Sequence, residues 1–229
     1  MRALQLGVMP YRDAWRLQET IHNEVVEGAE ERLILVEHPP VITVGRRPGI
    51  SKNLLASKAQ LSELGIDLVE SDRGGDITFH GPGQLVAYPI VRLNDHRLSV
   101  GGYVRKLEQT VIAALHELNI PATKDQCAVG VWVPIPPTNT LAKICALGVR
   151  IRRGVSMHGI ALNVTTDLRY FNLIIPCGLT GRSVTSIQQL LGETAPSIDF
   201  VCDVITRHFL KTFAVGATLV SPFVPSQYA

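Results

Sequence analysis

The chain has 229 residues, 46% of them hydrophobic, enough to bury a sizeable core and in the range where one domain is expected. Lys and Arg total 22 against 20 Asp and Glu, and a net charge of +2 gives no basis for a nucleic-acid or polybasic membrane surface. The first residues, Met1 to Gly7, lack the apolar stretch of a signal peptide, and no apolar run is long enough to span a bilayer, so a soluble, cytoplasmic protein is expected.

Residues 1–8 read as a short strand. Tyr11 to Glu27 follows as an amphipathic helix, because Ala14, Leu17, Ile21 and Val25 recur at helical spacing. Leu33 to Val36 and Val41 to Val44 are β-branched runs that read as a strand pair, divided by Glu37-His38-Pro39-Pro40, whose prolines cannot continue a ladder. Asp67 to Glu70 and Leu85 to Val91 are strand-like runs flanking a Gly-rich connector. Val104, Leu107, Val111, Leu115 and Leu118 then mark a helix whose apolar stripe requires a sheet to cover.

Gly130 to Val133 reads as a strand, and Pro134 to Asn139, rich in proline, as an exposed loop or hairpin tip. Lys143 to Ile151 and Val155 to Val164 are β-like runs separated by Arg152-Arg153-Gly154, the pattern of a hairpin. A final helix from Ile198 to Phe213 carries Ile198, Val201, Ile205 and Phe209 on one face. Strands and helices without regular βαβ alternation predict an α+β fold with a mixed sheet and packed helices, in one domain over residues 1–229.

The densest chemical signal is Arg73-Gly74-Gly75-Asp76-Ile77-Thr78-Phe79-His80-Gly81-Pro82-Gly83-Gln84. Its glycines either let the main chain approach a ligand or form two tight turns around a short strand bracketed by Gly74-Gly75 and Gly81-Pro82-Gly83. The segment is neither a Walker A loop nor a G-x-G-x-x-G turn. Cys177 stands between Pro176 and Gly178, where a thiol is either presented at a bend or buried as a small hydrophobe. For Cys127, Cys145 and Cys202 the buried hydrophobe is the expectation. None of the four forms a C-x-x-C pair, and His38, His80 and His158 have no metal-ligand spacing. Lys143 opens an apolar run, either as an ammonium near a pocket or as a surface lysine with a buried stem.

Arg73 to Gln84, Lys143 to Gly148, His158-Gly159-Ile160-Ala161-Leu162-Asn163 and Pro176-Cys177-Gly178 occur in the order and at the separations of bacterial-type lipoyl(octanoyl) transferases, which the chain resembles from about Tyr11 to Leu191. More loosely it resembles lipoate– and biotin–protein ligases, whose catalytic modules share that α+β fold. The resemblance implies that Cys177 is an acyl-thioester nucleophile and Lys143 the lysine that lowers its pKa. It implies acyl-binding stretches at Arg73, Gly74, Gly75, Asp76, Ile77, Thr78, Phe79 and His80, at Ala146, Leu147 and Gly148, and at Gly159, Ile160 and Ala161. No cofactor or metal is implied. The donor would be octanoyl-acyl carrier protein, and the acceptors lysines on lipoyl domains of 2-oxoacid dehydrogenase E2 subunits and on the glycine cleavage H protein. The alternatives are an ATP-dependent ligase of the same fold, for which Cys177 and Lys143 have no necessary role, and a non-catalytic acyl-carrier-binding module, which needs no reactive thiol.

Overall fold

A computed structural model describes residues 1–47, 49–175 and 182–214. In chain order the elements are β1 (Arg2–Val8), α1 (Tyr11–Val26), β2 (Arg32–Glu37), β3 (Val41–Val44), α2 (Lys58–Glu63), β4 (Asp67–Glu70), β5 (Thr78–His80), β6 (Gln84–Ile90), α3 (Val100–Glu117), β7 (Thr123–Lys124), β8 (Val131–Ile135), β9 (Thr140–Arg152), β10 (Val155–Asn163), α4 (Ile187–Leu191) and α5 (Ile198–Thr212). Seven strands form one sheet in the order β1-β2-β6-β10-β9-β8-β7, and three form a second in the order β4-β3-β5. The β1–β2 pair is parallel and the other pairs of the large sheet are antiparallel, which makes the mixed α+β architecture expected from the sequence.

The large sheet is covered on both faces, which is why its strands read as nearly continuous apolar runs. Leu33 and Leu35 of β2 face a core containing Leu107 and Val111 of α3 and Phe209 of α5. Ile34 and Val36 of the same strand point the other way, into a cluster with Ala14, Ile21 and Val25 of α1. This alternation is the period-two consequence of the pleat. Ser99 and Ser197 cap α3 and α5 by accepting from Gly102 N and Phe200 N, so both helices start where the sequence supplies a hydroxyl.

The two runs that read as a pair, β2 and β3, do not pair with each other. β2 lies between β1 and β6 in the large sheet, whereas β3 lies between β4 and β5 in the small one. Pro39 and Pro40 end the ladder, and the chain leaves one sheet for the other across them. The expected hairpin tip also starts later. β8 continues through Pro134 and Ile135, because β7 pairs β8 only at Val131 and Trp132; beyond that point β8 is an edge, where a missing N–H costs nothing. The predicted β9–β10 hairpin is present, and Arg153 (φ 51°) and Gly154 (φ 77°) form its two-residue turn.

Leu107 is fully buried between α3 and the sheet. Leu107→Ala is therefore expected to lower the unfolding free energy by roughly 2–5 kcal/mol, read as a drop in urea midpoint with an unchanged m-value. A loss below about 1 kcal/mol would contradict this packing.

Candidate active site

The β9–β10 register brings two distant sequence stretches together. Gly148 pairs with Gly159, Leu147 with Ile160, and Ala146 with Ala161. The Gly-rich segment then crosses β9: Gly74 N–H donates to the Val149 carbonyl at 2.9 Å. That crossing demands glycine, since a Cβ on Gly148 would stand 2.9 Å from the Gly74 carbonyl oxygen, and one on Gly74 would stand 2.8 Å from that of Val149. Gly75 meets a different requirement, a φ of +88°.

Two adjoining pockets result, of about 50 and 390 Å³; the larger falls in the range of small-molecule sites. The smaller is lined by Arg73, Gly75 to Thr78, His80, Ala146 to Gly148 and Gly159 to Ala161, with Tyr11, Val86, Tyr88 and His158 completing it. The larger includes Gly74, Lys143, Arg47, Val104, Val149 and the turn at Cys127 to Val129. Gly75, Asp76, Leu147 and Gly148 line both. Of the expected acyl-binding stretches, Phe79 alone borders neither: its ring packs on Tyr170 (4.7 Å between centroids) and Phe171 (5.8 Å) in the core of the small sheet. Alternation along β5 explains this, because Thr78 and His80 take the pocket side.

The polar side chains are held rather than loose. Arg73 is buried, with Nη2 donating to the Thr43 carbonyl (2.7 Å) and Nη1 to that of Gly74 (3.1 Å). The Asp76 carboxylate accepts from Ile77 N–H (2.7 Å) and from the Asn53 amide (3.0 and 3.1 Å). His80 Nδ1 bonds Gln84 Oε1 at 2.7 Å, and its ring stacks on Tyr11. His38 is a satisfied structural histidine, between the Met9 carbonyl (2.7 Å) and the Tyr88 hydroxyl (2.8 Å).

His158 has a φ of +56° in the middle of β10, a conformation few side chains adopt. It is fixed there by its backbone N–H donating to Gln18 Oε1 (2.8 Å) and by Nε2 bonding Asp72 Oδ1 (2.7 Å). Asp72 also pairs with Arg150. Burial, reinforced by Arg73 and Arg150, pushes the His158 pKa down to about 3. The neutral ring donates from Nε2, which leaves Nδ1 an acceptor with no partner among the described residues.

Lys143 is buried within β9, not at a surface end. Nζ donates to the Val129 carbonyl (3.2 Å) and lies 4.8 Å from the centroid of the Trp132 ring. Its main chain is bonded to residues that follow Cys177: Lys143 N–H donates to Ser183 O, and Thr185 N–H to Lys143 O, both at 2.9 Å. Cys177 itself lies outside the described residues. Cys145 and Cys202 are buried as expected, and burial raises the Cys145 pKa and pushes that of Cys202 up to about 11. Cys127 is a correction. It is exposed, because Asp125 Oδ1 accepts from the N–H groups of Cys127 and Ala128 and folds this segment into a surface turn at the larger pocket.

The family described as the lipoyl protein ligase A/B catalytic domain matches residues 10–210. The chain belongs to that family. An octanoyltransferase of Koribacter versatilis is 46% identical over 91% of this chain and 82% of its own length, and one of Solibacter usitatus is 47% identical over 91% of each. The chain is accordingly a transferase enzyme of this family. Among solved structures, a bipartite lipoate protein ligase from Thermoplasma acidophilum has a TM-score of 0.74 at 21% identity, covering 92% of this chain and 82% of that one. A biotin protein ligase from Aquifex aeolicus gives 0.55 at 14% identity over 92% and 69%. These two likenesses show the shared fold expected from the sequence.

Tyr11 and Tyr88 complete the smaller pocket and Trp132 lies against Lys143, although in the sequence all three read as ordinary members of helices and strands; His158, at the head of the third motif, lines the smaller pocket as well. The buried histidines carry a pH prediction. His38, pushed down to about 4, and His158 stay neutral when folded yet protonate in the unfolded chain near pH 6.5, so their contribution to stability is present above that pH and is lost as pH falls toward 4. Each adds a slope of about 1.4 kcal/mol per pH unit in that window. Urea titrations from pH 7 to 5 should show this decline, and His38→Gln should make it shallower; an unchanged slope in the variant would contradict the assignment.

Proposed function

We propose that the enzyme moves an octanoyl group from octanoyl-acyl carrier protein to a lysine of a lipoyl domain through a thioester on Cys177, as one catalytic domain over residues 1–229. The observation that carries this reading is the cleft in which the Gly-rich crossing, Ala146 to Gly148 and Gly159 to Ala161 surround one pocket, with Lys143 lining the adjoining one. The resemblance carried by Pro176-Cys177-Gly178 supports Cys177 as its thiol, and the described residue nearest before that motif is tied to the pocket wall. Ile175 N–H is bonded to the Asn53 carbonyl, and the Asn53 side chain holds Asp76 on the pocket wall.

In the first half of the cycle the Cys177 thiolate attacks the donor thioester, a new C–S bond forms, and the carrier thiolate departs with a proton from Lys143. In the second half the acceptor amine attacks the enzyme thioester, an amide forms, Cys177 leaves as thiolate, and Lys143 takes the amine's proton. Exchange of a thioester for an amide is downhill, so the chemistry consumes no ATP. An ammonium about 4 Å from the thiol, at an effective dielectric of about 20, contributes roughly 4 kcal/mol to the thiolate before desolvation reduces it. A buried octanoyl tail adds roughly 5 kcal/mol of binding at about 0.8 kcal/mol per methylene. Arg73, Gly74, Gly75 and their neighbours to His80 bind the chain through backbone and pocket-facing side chains, with Phe79 as the packing residue that holds this strand down.

Incubation with octanoyl-acyl carrier protein and no nucleotide should add one octanoyl mass to the intact protein, labile to hydroxylamine and located on Cys177. Label on exposed Cys127, or turnover without any acyl-enzyme, would refute the assignment. The two roles of Lys143 separate in single-turnover mass spectrometry. Lys143→Met should slow acylation, whereas Lys143→Arg, which keeps the charge but not the proton exchange, should acylate and then stall when acceptor is added. Wild-type deacylation in the Arg variant would remove Lys143 as the base.

A further inference from the structure

Trp132 and Lys143 stand directly opposite each other on β8 and β9. Val131 pairs with Cys145 and Trp132 with Lys143, so Ile144 is an extra residue on β9, and this bulge sits immediately beside the lysine. Bulges re-aim neighbouring side chains. Here the result is an ammonium 4.8 Å from the indole centroid of a ring that is 1% exposed. A second cation uses the same ring: Arg182 Cζ lies 5.1 Å from its centroid. Arg182 is the first described residue after 181, and it is followed at once by Ser183 to Thr185, which are hydrogen-bonded to the Lys143 backbone.

The surroundings fix this arrangement from three sides. Asp125 Oδ2 pairs with Arg182 Nη1 at 2.6 Å, while its other oxygen caps the turn at Cys127 and Ala128. That turn presents the Ala128 carbonyl to Trp132 Nε1 and the Val129 carbonyl to Lys143 Nζ, both at 3.2 Å. Glu108 Oε1 accepts from Gly130 N–H at 3.0 Å and ties the start of β8 to α3. Gly130 completes the fit, since a Cβ there would lie 3.1 Å from Lys143 Cε.

We propose that Trp132 is a positioning residue: its indole carries the Lys143 ammonium and the Arg182 guanidinium together, and so sets the placement of the amine relative to the chain that returns after Cys177. The Asp125–Arg182 pair is the latch of the same device. A cation over an indole is stabilised most where water is excluded, and a ring with almost no exposure meets that condition. The inference rests on Lys143 acting in the acyl transfer proposed above.

The test measures the rate and pH profile of enzyme acylation by octanoyl-acyl carrier protein in Trp132→Phe, Trp132→Leu, Asp125→Asn and Lys143→Met. Trp132→Leu should slow acylation about tenfold and move its profile to higher pH with little change in donor KM, and Trp132→Phe, which keeps an aromatic face, should restore the rate to within about threefold of wild type. Asp125→Asn should give a smaller loss in the same direction. Wild-type rate and profile in Trp132→Leu, with Lys143→Met impaired, would overturn the platform and leave the reading of Lys143 standing; a wild-type Lys143→Met would overturn that reading itself. The unmutated protein offers a check that needs no destabilising variant. Lys143 ε-methylene protons, assigned by their loss in Lys143→Met, should be shifted upfield by the indole ring current, and ordinary lysine shifts would refute the contact.

Discussion

The hydrogen-bonded crossing of the Gly-rich segment over β9 is the contact on which the rest of the cleft depends. Gly74 N–H reaches the Val149 carbonyl, and the Gly148 backbone lies so close beneath that neither residue has room for a side chain. The small sheet is thereby held against the large one. Because β9 and β10 are in fixed register, the same contact places Gly75 and Asp76 over Leu147 and Gly148, where both pockets meet. A one-residue slip would invert the facing of every side chain on β10 and destroy the site, and burial of both sheet faces excludes such a slip.

The cleft has two chemically distinct ends. Around Lys143 the groups are cationic and hydrogen-bonded to carbonyls and carboxylates, an environment suited to proton exchange and thiolate stabilisation. At the other end the rings of Tyr11, Tyr88, His80 and His158 are neutral beside the Arg73 guanidinium, because burial raises the tyrosine pKa values and lowers those of the histidines. The polar atoms of this end are occupied mainly with one another: Tyr11 with Ser71, Tyr88 with His38, His80 with Gln84, and His158 with Asp72. A network of this kind is rigid because each lost partner would leave a desolvated polar group. The positive φ of His158 persists within it, held by Gln18 and Asp72.

Much of the fold was legible because local signals agree with the tertiary outcome. The periodicity of α1, α3 and α5, the Arg153-Gly154 turn and the short strand inside the Gly-rich segment all come from residues a few positions apart. The motif segments were legible as well, and the resemblance they carry led to the family that matches the chain. Sheet membership was not. β2 and β3 have similar composition, and nothing in either run says that one joins β6 and the other β5, since strand partners are chosen by packing across the whole chain.

By itself the sequence determined which segments are apolar and with what period, where glycine and proline interrupt them, and which nucleophilic and basic residues lie in motifs. Those properties are local, fixed by side-chain type and spacing. The tertiary structure alone decided that Cys127 is exposed while Cys145 is buried, that Phe79 turns into the core while its neighbours face the pocket, and that one indole serves two cations, Lys143 and Arg182, from separate segments of the chain. Each of these depends on what another segment places opposite: the Asp125 turn, the Tyr170–Phe171 pair, and the bulge that sets Lys143 against Trp132. Exposure and orientation are properties of contacts between distant segments, and no spacing within one segment encodes them.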